Sequence, residues 1–371
     1  MGKPISFARG APSLDIIDVD GLRAAAEQAF RNDPAGLTAY GTSVGYLPLR
    51  RWIAERHEVD PERVLVTNGS MQADAFLFDA LVEPGDCVIV ERPTYDRTLQ
   101  ALRNRGADVR PVELERDGID VAALQRVLAA GVGAKLAHII PTFQNPAGYT
   151  LSAAKRRAIV DLARAHKFVV FEDDPYWSLR FEGETLPSML SMDGESVVYA
   201  SSFSKTVCPG IRVGYLIGPP ELISRIARLA TVTYIAPSMV SQGIVHQFCA
   251  CGALERSIET VKGALRERAH TLCEALAREL PDARFEPPEG GYFLWVDLPQ
   301  GTDVGALFAA AAQRDVQFVK GSDFVLEGAD SSLRLAYSGV TPGEIEEGVK
   351  RLAEAYDEVS AGARERDAAK V

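Results

Sequence analysis

One lysine of the sequence has neighbours that could hold a phosphorylated carbonyl compound. Lys205 ends the segment Ser201–Lys205, which includes Ser202 and Ser204, and Arg212 follows shortly afterwards. The amine of a lysine can form a Schiff base with a carbonyl group. Hydroxyl groups and a guanidinium are suited to bind a phosphate monoester. The spacing therefore indicates covalent capture of a carbonyl compound, with a polar loop that carries a surface lysine as the structural alternative.

Two further segments place polar side chains beside apolar runs. Glu172–Tyr176, which contains Asp173, follows the apolar run Phe168–Phe171. Carboxylates at the carboxyl end of a parallel strand lie where open α/β sheets bind ligands. Thr67–Met71 lies between a predicted strand and a predicted helix, where unpaired N–H groups can bind phosphate. Either segment could instead act as a simple helix N-cap.

A loop and an apolar strand each carry one polar side chain. The loop Pro141–Gly148 is made rigid by its prolines, and Asn145 is its polar tip. Arg334 lies within the otherwise apolar run Ser332–Tyr337. An arginine at an inward position commonly binds an anion, such as a carboxylate, through two hydrogen bonds. A structural ion pair is the alternative for Arg334.

The elements that must position these groups alternate between short apolar runs and helical patterns from about residue 64. Runs that are apolar at every position are typical of strands buried on both faces of a largely parallel sheet. The apolar residues at 73, 76, 77, 80 and 81 recur with helical spacing. We therefore expect an α/β architecture here. The predicted strands are Val64–Val66, Cys87–Val90, Leu136–Ile140, Phe168–Phe171, Val197–Ala200 and Val213–Ile217.

The pattern changes after about residue 236, where we expect a second, smaller α+β domain. One long helical region is predicted to run to about Leu280. Thr341–Glu344 matches a capping box with proline at the first helical position and opens a last helix. The elements expected between them are the helix Val304–Ala312 and the strands Tyr292–Val296, Val316–Val319 and Leu333–Tyr337.

The composition excludes several classes of function. The chain has 371 residues, of which 47% are hydrophobic, and a formal net charge of −11. This acidic balance argues against nucleic-acid binding, which needs a basic face. No apolar run approaches the ~20 residues of a membrane span, and the first residues lack the apolar stretch of a secretory signal. The five cysteines and five histidines show no paired metal-binding spacing. We expect a cytoplasmic protein without a catalytic metal.

Together, the five sites resemble the fold type I pyridoxal-phosphate (PLP) enzymes, and specifically the class I and II aminotransferases. The branch that looks nearest holds the 2-aminoadipate and kynurenine aminotransferases. The resemblance runs in order over almost the whole chain, from Phe7 to the last helix. Its motifs are Glu-Asp-Asp-Pro-Tyr at 172–176, Ser-Phe-Ser-Lys at 202–205, Pro-Gly-x-Arg-x-Gly at 209–214 and Gln-Asn-Pro-x-Gly at 144–148.

The resemblance implies the type I PLP-dependent transferase fold. This fold has a large domain with a mainly parallel sheet sandwiched by helices, and a smaller α+β domain. On this basis we place an N-terminal arm at residues 1–30, the large PLP-binding domain at 31–255 and the small C-terminal domain at 256–371. The implied activity is transfer of an amino group from an L-amino acid to a 2-oxo acid, with 2-oxoglutarate expected, by a ping-pong mechanism.

The resemblance also implies roles for residues that hold PLP. Lys205 would form the Schiff base and then serve as a general base, and Asp173 would pair with the pyridinium nitrogen. Tyr176 and Asn145 would hold the phenolic oxygen, and Tyr95 would stack on the ring. The phosphate ligands would be Ser70, the Met71 backbone N–H, Ser202, Ser204 and Arg212.

The same resemblance implies a shared site in a homodimer. Arg334, with Asn145, would bind the substrate carboxylate, and Gly10 would lie beside the substrate. Tyr40 matches a tyrosine that reaches the cofactor and substrate of the neighbouring subunit. Arg9 replaces a glycine that is usual in relatives. We hypothesise that Arg9 lies near the substrate side chain and favours an acidic one, with an exposed arm residue as the alternative.

Other functions stay in competition with transamination. The same lysine and aspartate serve PLP-dependent lyases, decarboxylases and β/γ-replacement synthases, and a fold does not decide its chemistry. Gly41–Gly45 matches the G-x-S-x-G of serine hydrolases, but only a weak strand precedes it. A PLP-binding transcription regulator would carry this domain behind a DNA-binding unit, for which the residues before the first strand leave little room. The amino donor and acceptor are not fixed by these patterns.

Overall fold

The computed structural model describes residues 3–368, with side chains described as far as residue 361. Thirteen strands and twelve α-helices occur in this part of the chain. The helices are α1 (Val19–Asn32), α2 (Pro34–Thr38), α3 (Leu47–Arg56), α4 (Ser70–Leu81), α5 (Asp96–Asn104), α6 (Val121–Ala129), α7 (Ala153–His166), α8 (Pro220–Tyr234), α9 (Met239–Ala250), α10 (Ala253–Glu279), α11 (Val304–Gln313) and α12 (Pro342–Ala368).

The strands form three sheets, of which the largest has eight strands. They are β1 (Ile5–Ser6), β2 (Val64–Thr67), β3 (Cys87–Arg92), β4 (Asp108–Glu115), β5 (Gly118–Ile119), β6 (Leu136–Ile139), β7 (Val169–Asp173), β8 (Val197–Ser202), β9 (Gly214–Ile217), β10 (Phe293–Asp297), β11 (Val316–Gln317), β12 (Val319–Lys320) and β13 (Ser332–Ala336). All six strands predicted for the α/β part are present, with ends shifted by a few residues at most.

The eight-stranded sheet has the order β2-β9-β8-β7-β6-β3-β4-β5. Its middle, from β8 to β4, is parallel, and β9 pairs antiparallel with both β8 and β2. The largely parallel sheet expected from the apolar runs is therefore confirmed. Because parallel strands need crossover connections, helices lie over both faces of this sheet.

Burial on both faces explains why the strand sequences are apolar without alternation. Val64 and Val66 of β2 belong to one core cluster, which includes apolar residues of α3, α7 and α9. Leu65, between them, belongs to a second cluster with residues of α4 and α8. Successive side chains point to opposite faces of a strand, so β2 contributes to a core on each side of the sheet.

A separate core lies in the C-terminal part of the chain. The antiparallel sheet β10-β13-β12 packs with α10, α11 and α12 around this third cluster. Strand β1 pairs parallel with β11, and Ile5 and Phe7 enter the same cluster. Residues near the N-terminus are thus held against the C-terminal part. We retain the boundaries 1–30, 31–255 and 256–371 as a proposal, of which residues 1–2 and 369–371 lie outside the described chain.

Two predicted elements differ from the structure. The long helical region before Leu280 is divided into α9 and α10, because Gly252 adopts a left-handed φ of 72° between them. The predicted strand Val316–Val319 is two strands: β11 pairs with β1 and β12 pairs with β13. The capping box is confirmed, since the Thr341 N–H donates to Glu344 Oε2 at 2.9 Å. No helix of the described residues is long and apolar enough to cross a membrane.

Candidate active site

Twelve of the fourteen predicted site residues meet at one cavity of about 550 Å³. The carboxyl ends of β6, β7 and β8 point towards it. Asn145 follows β6, Asp173 is the last residue of β7, and Ser202 is the last residue of β8. Residues of β10, β12 and β13 close the other side. The predicted residues that line the cavity are Gly10, Ser70, Met71, Tyr95, Asn145, Asp173, Tyr176, Ser202, Ser204, Lys205, Arg212 and Arg334.

Lys205 is held among aromatic rings and lies next to the N-terminal segment. Its Nζ donates to the Gly10 carbonyl at 2.6 Å and lies 5.4 Å and 5.3 Å from the ring centres of Tyr176 and Tyr292. The Tyr292 hydroxyl donates to the backbone carbonyl of Lys205 at 2.7 Å. Burial, helped by the positive charge of Arg334, lowers the pKa of the Lys205 amine to about 8. A neutral, nucleophilic amine is thus accessible near neutral pH.

Asp173 offers a carboxylate oxygen that no group of the described chain satisfies. It ends β7 and is buried, and its Oδ1 has no hydrogen-bond partner. Nε2 of His138 is 3.5 Å from Asp173 Oδ2, but neither ring nitrogen of His138 makes a hydrogen bond. A buried carboxylate oxygen without a donor is costly. Asp173 is therefore suited to accept a hydrogen bond from a protonated ring nitrogen.

A second group of residues forms a cradle for an anion. Gly69 has a φ of 82°, and a Cβ at this position would overlap the Arg212 guanidinium. Arg212 Nη2 donates to the Asn68 carbonyl at 3.0 Å, and its Nη1 lies 3.4 Å from Ser204 Oγ. The hydroxyls of Ser202 and Ser204 are 2.9 Å apart. With Ser70 at the start of α4, these donors suit a phosphate group.

Arg334 is held by contacts at both terminal nitrogens and on the faces of its guanidinium, whereas its buried Nε has no hydrogen-bond partner among the described residues. Its Nη1 donates to Asn145 Oδ1 at 2.8 Å, and its Nη2 donates to the Ala8 carbonyl at 2.7 Å. The rings of Phe293 and Phe324 lie 4.3 Å and 4.8 Å from its Cζ. Burial lowers the pKa of Arg334 to about 10. Its hydrogen-bond partners are an amide oxygen and a backbone carbonyl, and no carboxylate of the described residues forms an ion pair with it. The alternative interpretation of Arg334 as part of a structural ion pair therefore does not apply to the described residues.

Two predicted residues do not line this cavity in the single chain. Arg9 is exposed, as the alternative interpretation of an arm residue describes, and Tyr40 has 89% of its surface exposed. Tyr40 lies in the segment between α2 and α3. A role for either residue at the site therefore stays a prediction.

The cavity also contains residues that the sequence patterns did not single out. Among them are Asp74, Asp96, Arg97, Phe293 and Phe324. Asp74 follows Ser70 by one helical turn and lies on the same helix face, so its position could have been inferred from the predicted phosphate site. Phe293 and Phe324 come from the C-terminal part, and no local pattern indicates that they face β7 and β8.

The lining groups fit PLP. The unsatisfied oxygen of Asp173 suits a pyridinium N–H, the serines and Arg212 suit the phosphate, and the Lys205 amine suits the aldehyde. All three lie on the same cavity, and they are the groups that this cofactor requires.

Comparison with known proteins gives one consistent family. Residues 3–352 match the family model described as aminotransferase class I and II. The 2-aminoadipate transaminase of Thermus thermophilus is 34% identical over 357 residues, which cover 95% of this chain and 89% of that protein. The aromatic-amino-acid aminotransferase 1 of Thermococcus litoralis is 31% identical and covers 95% of the chain and 88% of its own length.

Solved structures agree with these sequence matches. The alpha-aminoadipate aminotransferase of Thermus thermophilus, complexed with N-(5'-phosphopyridoxyl)-L-leucine, superposes with a TM-score of 0.92. It is 32% identical, and the match covers 96% of this chain and 93% of that one. The kynurenine aminotransferase of Pyrococcus horikoshii superposes with a TM-score of 0.91 at 31% identity, covering 96% and 92%. The likeness therefore extends over both the sheet and the C-terminal part.

Proposed function

This chain belongs to the class I and II aminotransferases and depends on PLP, and we propose that it transfers the amino group of an L-amino acid to a 2-oxo acid such as 2-oxoglutarate. The observation that carries this proposal is one cavity that holds both the Lys205 amine and the Arg334 guanidinium. The first can exchange an amine, and the second can bind an α-carboxylate. A lyase, decarboxylase or replacement synthase is not favoured by the relatives.

We assign the cofactor contacts to the residues named at each end of the cavity. Asp173 would accept a hydrogen bond from the ring nitrogen and would so favour the protonated ring. The phosphate would be held by Ser70, the Met71 N–H, Ser202, Ser204 and Arg212, and this assignment is supported by the donors around Gly69. The remaining contacts in this proposal are Tyr95 on the ring face, and Tyr176 and Asn145 at the phenolic oxygen.

When bound, PLP supplies a carbonyl for the amino group and an electron-withdrawing ring. The chain would supply the proton transfer, because the neutral amine of Lys205 would take the proton from the substrate Cα. Its pKa of about 8 suits this task, because a general base works best when its pKa is near the working pH. The Tyr292 hydroxyl, bound to the Lys205 carbonyl, limits the movement of the backbone beneath this amine.

The substrate carboxylate is assigned to Arg334 and Asn145. The Arg334 side chain is already ordered by Asn145, the Ala8 carbonyl and two phenyl rings, so little entropy is lost when a carboxylate binds. Phe293, Phe324 and Val319 give the substrate region an apolar character, while Arg97 adds a positive charge that Asp96, 3.6 Å away, partly offsets. An acidic or aromatic side chain would suit these walls, and Arg9 remains a hypothesis for an acidic one.

We also infer a homodimer in the cytoplasm. The described chain exposes several large apolar side chains, among them Tyr40, Leu47, Val232 and Ile235, which a partner subunit could cover. Tyr40 would reach the neighbouring subunit's site. The cytoplasmic location is supported by cysteines that are all free thiols.

The visible absorbance of the purified protein tests the proposed function. We expect a yellow PLP-loaded protein that bleaches when glutamate or 2-aminoadipate is added and recovers its colour with 2-oxoglutarate. The Lys205→Ala variant should lose the exchange by at least about three orders of magnitude, as expected when a covalent and basic residue is removed. Lys350→Ala, at an exposed lysine of α12, is the matched control and should behave as the parent.

Three results would contradict this proposal. A protein that stays colourless after incubation with PLP cannot use the cofactor as described. Persistent colour with release of ammonia or carbon dioxide would indicate a lyase or decarboxylase. Equal exchange in the parent and in Lys205→Ala would remove the lysine from the mechanism.

A further inference from the structure

A second buried carboxyl group, that of Asp74, faces the same cavity as Asp173. Asp74 lies one turn after Ser70 in α4, lines the cavity and has 5% of its surface exposed. Its Oδ1 is buried and has no hydrogen-bond partner. No ion pair among the described residues includes Asp74, whereas other aspartates of the chain, such as Asp193, are paired with arginine. The mechanism proposed above gives Asp74 no task.

Asp173 is the charged residue with the largest effect on Asp74, and the cations that line the same cavity, Arg97, Lys205, Arg212 and Arg334, form no ion pair with Asp74 in the described chain. Burial raises the pKa of Asp74, and Asp173 on β7 raises it further through its negative charge. Tyr95, which precedes α5, lines the same cavity, and burial raises its pKa to about 12, so it is neutral. His138 on β6 makes no hydrogen bond through either ring nitrogen, and it is 3.5 Å from Asp173.

Two carboxylates in one buried site cannot both ionise cheaply, and such a pair commonly shares one proton. Asp173 lies at the end of its strand, where a cationic group is expected to bind. Asp74 has no such partner among the described residues. We propose that Asp74 is a positioning residue that keeps its proton in the folded protein, so that the Asp74–Asp173 pair carries one negative charge and this charge rests on Asp173.

This inference rests on the proposed role of Asp173 towards the ring nitrogen. A single negative charge matches the single proton on that nitrogen. A second ionised carboxylate would raise the pKa of the neighbouring groups of the cofactor. It would also raise the pKa of the Schiff-base nitrogen that links the cofactor to Lys205. Asp74 thus acts through Asp173, by limiting the charge at this end of the cavity to one.

The first test measures the stability of the cofactor-free protein against pH. The folded pKa of Asp74 lies above its unfolded value of 3.8, so the unfolded chain releases a proton that the folded chain keeps. The parent therefore loses stability as the pH rises above about 4, and this loss is absent from Asp74→Asn. We expect Asp74→Asn to exceed the parent in Tm by at least about 2 °C at pH 8 and by much less at pH 4.5. Asp161→Asn, at an exposed helical aspartate, is the control and should show no such trend.

The second test measures the charge beside the bound cofactor. The visible absorbance of the PLP-loaded protein changes with pH as the nitrogen linked to Lys205 loses its proton. We expect Asp74→Asn to leave the midpoint of this titration unchanged, because a neutral group replaces a neutral group. Asp173→Asn should shift it, because a charge is removed.

The outcomes separate this inference from the function on which it rests. A lower Tm of Asp74→Asn at pH 8, or an equal Tm difference at both pH values, overturns it. A midpoint lowered by about one pH unit or more in Asp74→Asn also overturns it, since Asp74 would then carry a charge in the parent. A protein that does not bind PLP contradicts the proposed function, yet the first test still reports the protonation of Asp74.

Discussion

At the scale of single residues, the site depends on groups whose ordinary charge is changed by burial. Lys205 is surrounded by the rings of Tyr176 and Tyr292, and its one hydrogen-bond acceptor among the described residues is the Gly10 carbonyl. Arg334 adds a positive charge that disfavours an ammonium ion, while Asp173 opposes it. Burial dominates, so the amine is basic enough to take a proton and can still be neutral near physiological pH.

This balance predicts how the cofactor-free protein attaches PLP at different pH values. The attacking species is the neutral amine, so the second-order rate of colour formation should rise about tenfold per pH unit below 8 and level off above it. Stopped-flow absorbance between pH 6 and 10 measures this profile. In Arg334→Gln, loss of the positive charge should move the midpoint upwards. A profile that still climbs towards pH 10 in the parent would show that Lys205 has the basicity of an ordinary surface lysine.

At the scale of elements, the phosphate cradle depends on a close approach between β9 and the turn before α4. Gly214 begins β9 and pairs with Thr67 of β2 and with Ser202 of β8. A Cβ on Gly214 would lie 2.6 Å from both the Gly69 carbonyl carbon and the Ser70 nitrogen. Because these are backbone atoms, no rotation of a side chain can relieve the overlap.

Gly214→Ala should therefore damage stability and cofactor binding together. We expect a loss of about 1–3 kcal/mol in the free energy of unfolding, the usual cost of overpacking, and weaker binding of PLP because the Ser70 N–H moves. Urea unfolding and a PLP titration measure the two effects. Gly210→Ala is the matched control, since no atom lies within 4 Å of its Cβ position. Equal behaviour of the two variants would mean that the turn can shift without cost.

The sequence predicts these elements better than it predicts their contacts. Runs such as Val197–Ala200 are apolar because both faces of the sheet are covered, so they are visible as strands without any partner. The division of Val316–Val319 between β11 and β12 is different, because it depends on β1 and β13, which are distant in sequence. The break at Gly252 was missed because the helical pattern is apolar on either side of it.

The site shows the same division between local and distant information. Lys205, Asp173 and Asn145 each follow a strand that has its own signature, and parallel strands bring their carboxyl ends to one edge. Phe293 and Phe324 are ordinary apolar residues in the sequence, and only tertiary packing places them on Arg334. Asp74 combines both kinds of information. Its helical spacing from Ser70 is visible in the sequence, but its lack of a cationic partner within the described chain depends on tertiary contacts.

At the scale of the whole molecule, the site needs both parts of the chain. Lys205 follows β8 of the large sheet, whereas Arg334 lies in β13, which belongs to a different core. The segment from Ala8 to Gly10 connects them, because Arg334 donates to Ala8 and Lys205 donates to Gly10. Tyr40 has 89% of its surface exposed and does not line the cavity of its own chain, and we expect it to serve the site of a second subunit.

Hybrid dimers test whether Tyr40 serves the neighbouring subunit. If it does, a dimer of one Lys205→Ala subunit and one Tyr40→Ala subunit contains one complete site, with Lys205 from the second subunit and Tyr40 from the first. Co-expression with two affinity tags and purification through both isolates this hybrid, whose exchange activity should be about half that of the parent dimer and well above either homodimer of variants. If Tyr40 instead serves its own subunit, both sites of the hybrid are defective and its activity cannot exceed half that of the Tyr40→Ala homodimer. A monomer in analytical ultracentrifugation at the assay concentration would contradict the shared site directly.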